Sequence, residues 1–169
     1  SSGRVLRADW FFGSYAKIKS QNYKHAKSSG FSETIARTIG LMPHLNLGVF
    51  CLNQHAPHWE VWQKNLKKAL KHGKIYGSGQ VAMNIAIYYN NLPAEFLPTY
   101  CNWIYMDNIK FDLKKNTFVE PYLPNHKIGI MHLAGKNMNY VRFNKEYLNE
   151  ISTLDGQKIK KSLRFRNFD

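Results

Sequence analysis

The sequence predicts an α/β fold, a mixed sheet flanked by helices. Two observations predict it: segments with apolar residues at helical spacing, and short continuous apolar runs of strand length. The two kinds of segment alternate along the chain, and alternation marks the α/β class. The 169 residues make one domain at about 150 residues per domain. A chain this long buries about 70% of its unfolded surface, so its core needs no disulfide staples.

Residues 1–30 are polar and basic around an aromatic knot of Trp10, Phe11, Phe12 and Tyr15. Ser32 caps a short helix over 33–39, which Gly40 closes. Leu45 to Leu52 is an apolar run interrupted by Asn46 and Gly48, and it suits a buried central strand. Pro57 stands in a first helical turn, apolar positions 59, 62, 66, 69 and 70 follow helical spacing, and Gly73 stops the helix. A second helix is expected from Gln80 to Tyr89 with Val81, Ile85 and Tyr88 or Tyr89 inward, ended by Asn90-Asn91-Leu92-Pro93. Phe96-Leu97 and Ile128 to Met131 look like short buried strands, with Pro121 to Asn125 as a loop between them. Three segments result: a basic aromatic lead-in over 1–45, a domain over 46–145 and a basic amphipathic tail over 146–169.

The composition, 44% hydrophobic and 14% aromatic, excludes a disordered chain. No run of 18 apolar residues occurs and no secretory signal opens the chain, so a cytoplasmic location is expected. Cys51 and Cys101 have no metal-ligand spacing and read as buried free thiols. The formal charge of +13 is spread over three stretches, Lys17 to Lys27, Lys64 to Lys74 and Lys158 to Arg166. The second is a solvated face, with Lys64, Lys67, Lys68 and Lys71 opposite Trp59, Trp62, Leu66 and Leu70. The last mixes five cations with Ile159, Leu163, Phe165 and Phe168, which suits peripheral contact with an anionic membrane. A frayed basic tail fits it equally well. No specific nucleic-acid partner is expected.

No P-loop, no G-x-S-x-G elbow and no H-E-x-x-H pair occurs, and no two carboxylates lie together in sequence as an acid/base pair would suggest. What remains is polar residues at strand ends and loop starts, where open α/β sheets bind ligands. His132 ends a strand-like run and is followed by Gly135 and Lys136. An imidazole there suits a metal, the glycine permits close backbone approach and the lysine adds a cation. A hydrogen bond to a loop carbonyl suits His132 as well. Asn46 and Gly48 open the first apolar run, and Gly79-Gln80 precede a helix, where backbone N–H groups gather. A turn and a glycine cap account for these residues equally.

Five segments recur in a telling order: Asn46-x-Gly48-Val49-Phe50, Trp59-x-x-Trp62, Gly79-Gln80-x-Ala82-x-Asn84, Leu97-Pro98-x-x-Cys101-Asn102-Trp103 and His132-x-x-Gly135-Lys136. Over roughly residues 40–140 the chain resembles the C-terminal half of a GT-A glycosyltransferase, of the retaining family-eight group that includes glycogenin and bacterial lipopolysaccharide galactosyltransferases. The resemblance implies a partial GT-A fold and transfer of a sugar from a nucleotide donor, UDP-linked, to a hydroxyl of a sugar, lipid or protein acceptor. It implies Mn²⁺ or Mg²⁺ bound by His132, diphosphate on Lys136 and Gly135, donor or acceptor contacts at Asn46, Gly48 and Gly79, and Gln80 as the catalytic residue beside the anomeric carbon. The sequence departs from the family pattern in three places. Gly79 replaces an Asp, Lys136 directly follows Gly135 with no Pro-Trp pair after it, and no D-x-D occurs. The expectation is therefore a fragment lacking the nucleotide-binding first half. The alternatives are an inactive glycosyltransferase-like binding module and a basic binder of anionic surfaces or nucleic acid.

Overall fold

The computed structural model describes residues 8–73, 75–104, 109–133, 141, 143, 144 and 146–164. Over these the chain is α/β, with four α-helices and a mixed sheet. The elements do not alternate as expected. All four helices lie in a first compact unit, 1–96, and the described strands in a second, 97–169.

In the first unit, α1 spans Ala8–Ser28, α2 Glu33–Leu41, α3 His58–His72 and α4 Ile75–Tyr88. The side chains of Trp10, Phe11, Phe12 and Tyr15 lie outside the described residues. Ser32 caps α2 as expected, its hydroxyl accepting from the Ile35 N–H. Gly40 does not close that helix. It is buried inside it against Tyr23, where a Cβ would come within 3.2 Å of the tyrosine Cβ, so a side chain here would force Tyr23 to give by a few tenths of an ångström. Glu33 ties the two helices together. Arg37 first, then Tyr23 and Lys27, hold its carboxyl pKa down at about 2.

The apolar run from Leu45 to Leu52 forms no strand. Asn46 Oδ1 accepts from the Gly48 N–H at 2.6 Å, closing a local turn. The Leu45 N–H and C=O are both taken by the Asn84 amide, so the groups a sheet ladder needs are already used. Phe50 and Cys51 are exposed, against the expectation of a buried strand and a buried thiol. Cys101 is half-buried.

Helix α3 matches its expected bounds, with Pro57 before it and Gly73 after it. A side chain at 73 would collide with Ser29 Oγ and stand 2.7 Å from the Ala69 carbonyl. The buried face is narrower than expected: Ala69 and His58 are buried, whereas Trp59 and Leu70 are exposed. Helix α4 is buried continuously from Val81 to Ala86, as befits a helix enclosed by neighbours. It packs on α3, α2 and α1 around a core of Phe31, Ile39, Val81 and Ile85 with Ala26, Ala36 and Ala69. Its first residues are kinked at Tyr76 and at Gly77, whose φ is +86°.

In the second unit a 3₁₀ turn, Thr99–Cys101, leads to β1, Trp103–Ile104, which pairs in parallel with β4, Met131–His132. Phe96 and Leu97 form no strand and are exposed, and Ile130 is exposed beside a strand of only two residues. The other strands, β2 (Lys110–Asp112), β3 (Thr117–Val119), β5 (Asn149–Thr153) and β6 (Lys158–Lys161), make a sheet of order β3-β2-β5-β6. Its pairs run antiparallel, parallel and antiparallel. Trp103, Ile109, Phe111, Ile128, Val141, Ile151 and Leu163 form the core.

The described part of the expected amphipathic tail, 146–164, thus holds the sheet strands β5 and β6. Asp155-Gly156, with Gly156 at φ +92°, turns β5 into β6. Ile159 packs on the core, Leu163 is buried in it, and Lys161 Nζ lies 4.8 Å over the Phe111 ring. Phe165 and Phe168 lie outside the described residues. Among the described residues no helix is long and apolar enough to cross a membrane.

Candidate functional site

His132 stands at the carboxyl end of β4, opposite Ile104 of the parallel strand β1. Its Nδ1 lies 3.0 Å from Oδ1 of Asn102, the residue immediately before β1. With a carbonyl oxygen as partner, Nδ1 carries the proton and donates, which leaves the lone pair on Nε2. Asn102 is 5% exposed, so the acceptor is fixed by packing. The Trp103 N–H donates to the Ile130 carbonyl and the Gly129 N–H to the Tyr100 carbonyl, which clamp the two segments in this register. Burial pushes the His132 pKa below its ordinary 6.5, so the ring is neutral at pH 7. A neutral imidazole with one nitrogen tied to an oxygen is the form in which histidine ligates a metal.

A pH dependence follows from that shift. Because the folded pKa lies below the unfolded value, the unfolded chain binds more protons just under pH 6.5, and His132 adds to stability above that pH. The contribution is lost as pH falls from 6.5 through the folded value. An NMR titration of the His132 ring should show a midpoint below 6.5; a midpoint above it would contradict burial as the controlling influence.

Four other expected residues, Asn46, Gly48, Gly79 and Gln80, lie in the helical unit. Asn46 Oδ1 is engaged with Gly48, whose backbone is exposed. Gly79 sits in α4 just after the kink, with open space where a Cβ would stand. Its carbonyl accepts from Trp62 Nε1 at 2.9 Å. His44 Nδ1 is buried with no partner; burial lowers the His44 pKa, and the Gln80 side chain opposes this. Asn84, 2% exposed, accepts from the Leu45 N–H at 3.1 Å and donates to the Leu45 and Gln80 carbonyls at 3.2 and 2.8 Å.

The motif segments therefore meet in two sets. Asn46-x-Gly48-Val49-Phe50, Trp59-x-x-Trp62 and Gly79-Gln80 join in the first unit through Phe50–Trp59, Phe50–Trp62 and Trp62–Gly79. Asn102 and His132 join in the second. Gly135 and Lys136 lie outside the described residues. Among the described residues no three His, Cys, Asp or Glu side chains gather as a metal site.

Replacing Asn84 by Ala removes three hydrogen bonds and leaves the Leu45 amide buried without a partner, at about 2–4 kcal/mol. Thermal melting should show the loss. An unchanged midpoint would mean that water replaces the amide.

Two residues escape a reading of the sequence for site candidates. Asn102 is legible only as a motif member, because its partner is 30 residues away. His126 Nδ1 meets a carboxylate oxygen of the buried Glu120, and its ring stacks on Tyr100, with ring centroids 4.7 Å apart. The intervening Pro121-Tyr122-Leu123-Pro124-Asn125 could have signalled it, since a tight loop brings its two ends together.

Compared with protein-family models, with curated proteins and with solved structures, the chain matches none of them.

Proposed function

We propose that this chain is the C-terminal part of a retaining GT-A-type glycosyltransferase. It would move a hexose from a nucleotide-linked donor, UDP-linked in the first instance, to an acceptor hydroxyl. The observation that carries the reading is His132, neutral and held through Nδ1 by buried Asn102, with Nε2 left as a ligand nitrogen at the end of a parallel strand. The contacts among motif segments within each unit add support.

The donor set fits a divalent cation, Mn²⁺ or Mg²⁺, in part. One neutral imidazole is present, and no three His, Cys, Asp or Glu side chains gather among the described residues. When bound, such a cation neutralises charge developing on the diphosphate leaving group. His132 supplies one fixed nitrogen, and Asn102 holds its tautomer and ring plane. Lys136 contributes a point charge to diphosphate oxygens. The Gln80 side chain is a neutral amide and no strong nucleophile, which suits front-face transfer. The carboxylates of a D-x-D are absent from the sequence, so turnover requires them from elsewhere in the parent enzyme.

Two measurements test this reading. Mn²⁺ binding by the chain, followed by electron paramagnetic resonance, should depend on His132. Release of nucleoside diphosphate from a panel of sugar nucleotides should occur in a longer polypeptide that carries a D-x-D segment ahead of this chain. Absence of both Mn²⁺ binding and release would overturn the proposal.

A further inference from the structure

We infer that Phe50, Trp59 and Trp62 form a saccharide-stacking platform. The three rings are in mutual contact, Trp59 to Trp62 at 5.7 Å between centroids and Phe50 to each at 6.3 and 5.8 Å, edge-on. Phe50 is 45% and Trp59 39% exposed, although both are large apolar side chains. Neither indole N–H seeks a partner from solvent. Trp59 Nε1 donates to the Asn53 carbonyl and Trp62 Nε1 to the Gly79 carbonyl, both at 2.9 Å. The rings are thus locked before anything binds, and a ligand that lands on them meets little ordering cost.

The size and chemistry of the patch choose the occupant. Exposed fractions below one half on two rings amount to about 200 Å² of aromatic surface. A stable protein interface needs about 800 Å² per partner, whereas one sugar ring is covered by the smaller area. Exposed polar residues adjoin the rings in sequence: Asn53, Gln54 and His55 in the turn before α3, Glu60 directly after Trp59, and Gln63 one turn beyond it. Amides and an imidazole pair with vicinal hydroxyls, and the exposed carboxylate of Glu60 disfavours a phosphate or an acidic peptide. Pyranose C–H groups carry partial positive charge and meet the negative face of an aromatic ring. Trp62 also joins the platform directly to Gly79, the neighbour of Gln80. This assigns the platform to the acceptor saccharide, an assignment that rests on the glycosyltransferase reading, whereas the binding itself does not.

Saturation-transfer difference NMR on the full chain, with lactose, maltose and chitobiose as probes, tests the binding. Transfer to ring C–H protons is expected from at least one probe. Trp59→Ala and Phe50→Ala should each weaken that binding about ten-fold, 1.4 kcal/mol. Leu70→Ala, an exposed apolar residue on the same helix, should leave it unchanged. If circular dichroism shows that Trp59→Ala does not fold, Phe50→Ala carries the test. No transfer from any probe, or equal affinity in the folded variants, overturns the platform. Sugar binding that persists while Mn²⁺ binding and nucleotide release fail overturns the transferase reading alone. Transfer with an unchanged acceptor KM in Phe50→Ala overturns the acceptor assignment.

Discussion

A chain ending at Gln157 loses the fold of its second unit. Ending there removes β6 and leaves one edge of β5 unpaired along four residue pairs, from Asn149 with Lys161 to Ser152 with Lys158. It also takes Leu163 and Ile159 from the core cluster, at about 1.5–3 kcal/mol for each apolar side chain. A whole domain holds only about 5–15 kcal/mol, so the lost burial and strand pairing consume most of it. Urea unfolding followed by near-ultraviolet circular dichroism should show the Trp103 environment lost, or its midpoint shifted strongly downward, in the truncated chain. Equal midpoints for the two chains would mean that residues 158–164 are a dispensable tail.

Replacing His132 by Ala is expected to separate function from stability. Removing a metal ligand raises the barrier of a charge-separating step by about 3–4 kcal/mol, on the order of 10²–10³-fold in rate. The fold loses one hydrogen bond, to Asn102, at about 1 kcal/mol. Asn102→Ala should leave the ligand nitrogen present but unoriented, with Mn²⁺ affinity about 10–100-fold lower. Measured together, thermal melting, Mn²⁺ affinity and nucleotide release distinguish the roles. If His132→Ala melts much lower and the folded fraction keeps normal Mn²⁺ affinity, the histidine is structural and the metal assignment falls with it.

Sequence logic is sound where a local pattern has only one solution. Pro57, helical spacing and Gly73 specify α3, and Ser32 specifies the start of α2, because capping and periodicity act within a few residues. It fails where one pattern admits two structures. Leu45 to Leu52 has strand composition, but Asn84, 39 residues away, takes the Leu45 amide and carbonyl. Lys158 to Lys161 reads as an amphipathic tail, and only the turn at Asp155-Gly156 distinguishes it from the edge strand it forms.

The candidate site divides along the same line. That His132 ends a strand is local, and the sequence alone determined it, as it determined the order of the motif segments. Which nitrogen of His132 keeps its lone pair depends on Asn102, 30 residues away. The link from Trp62 to Gly79 crosses 17 residues. Hydrogen bonds of that reach exist only after the chain has packed, because closing such loops costs entropy that burial of the core must first offset. Local chemistry was therefore written in the sequence, and the pairing of its polar groups was decided by tertiary structure.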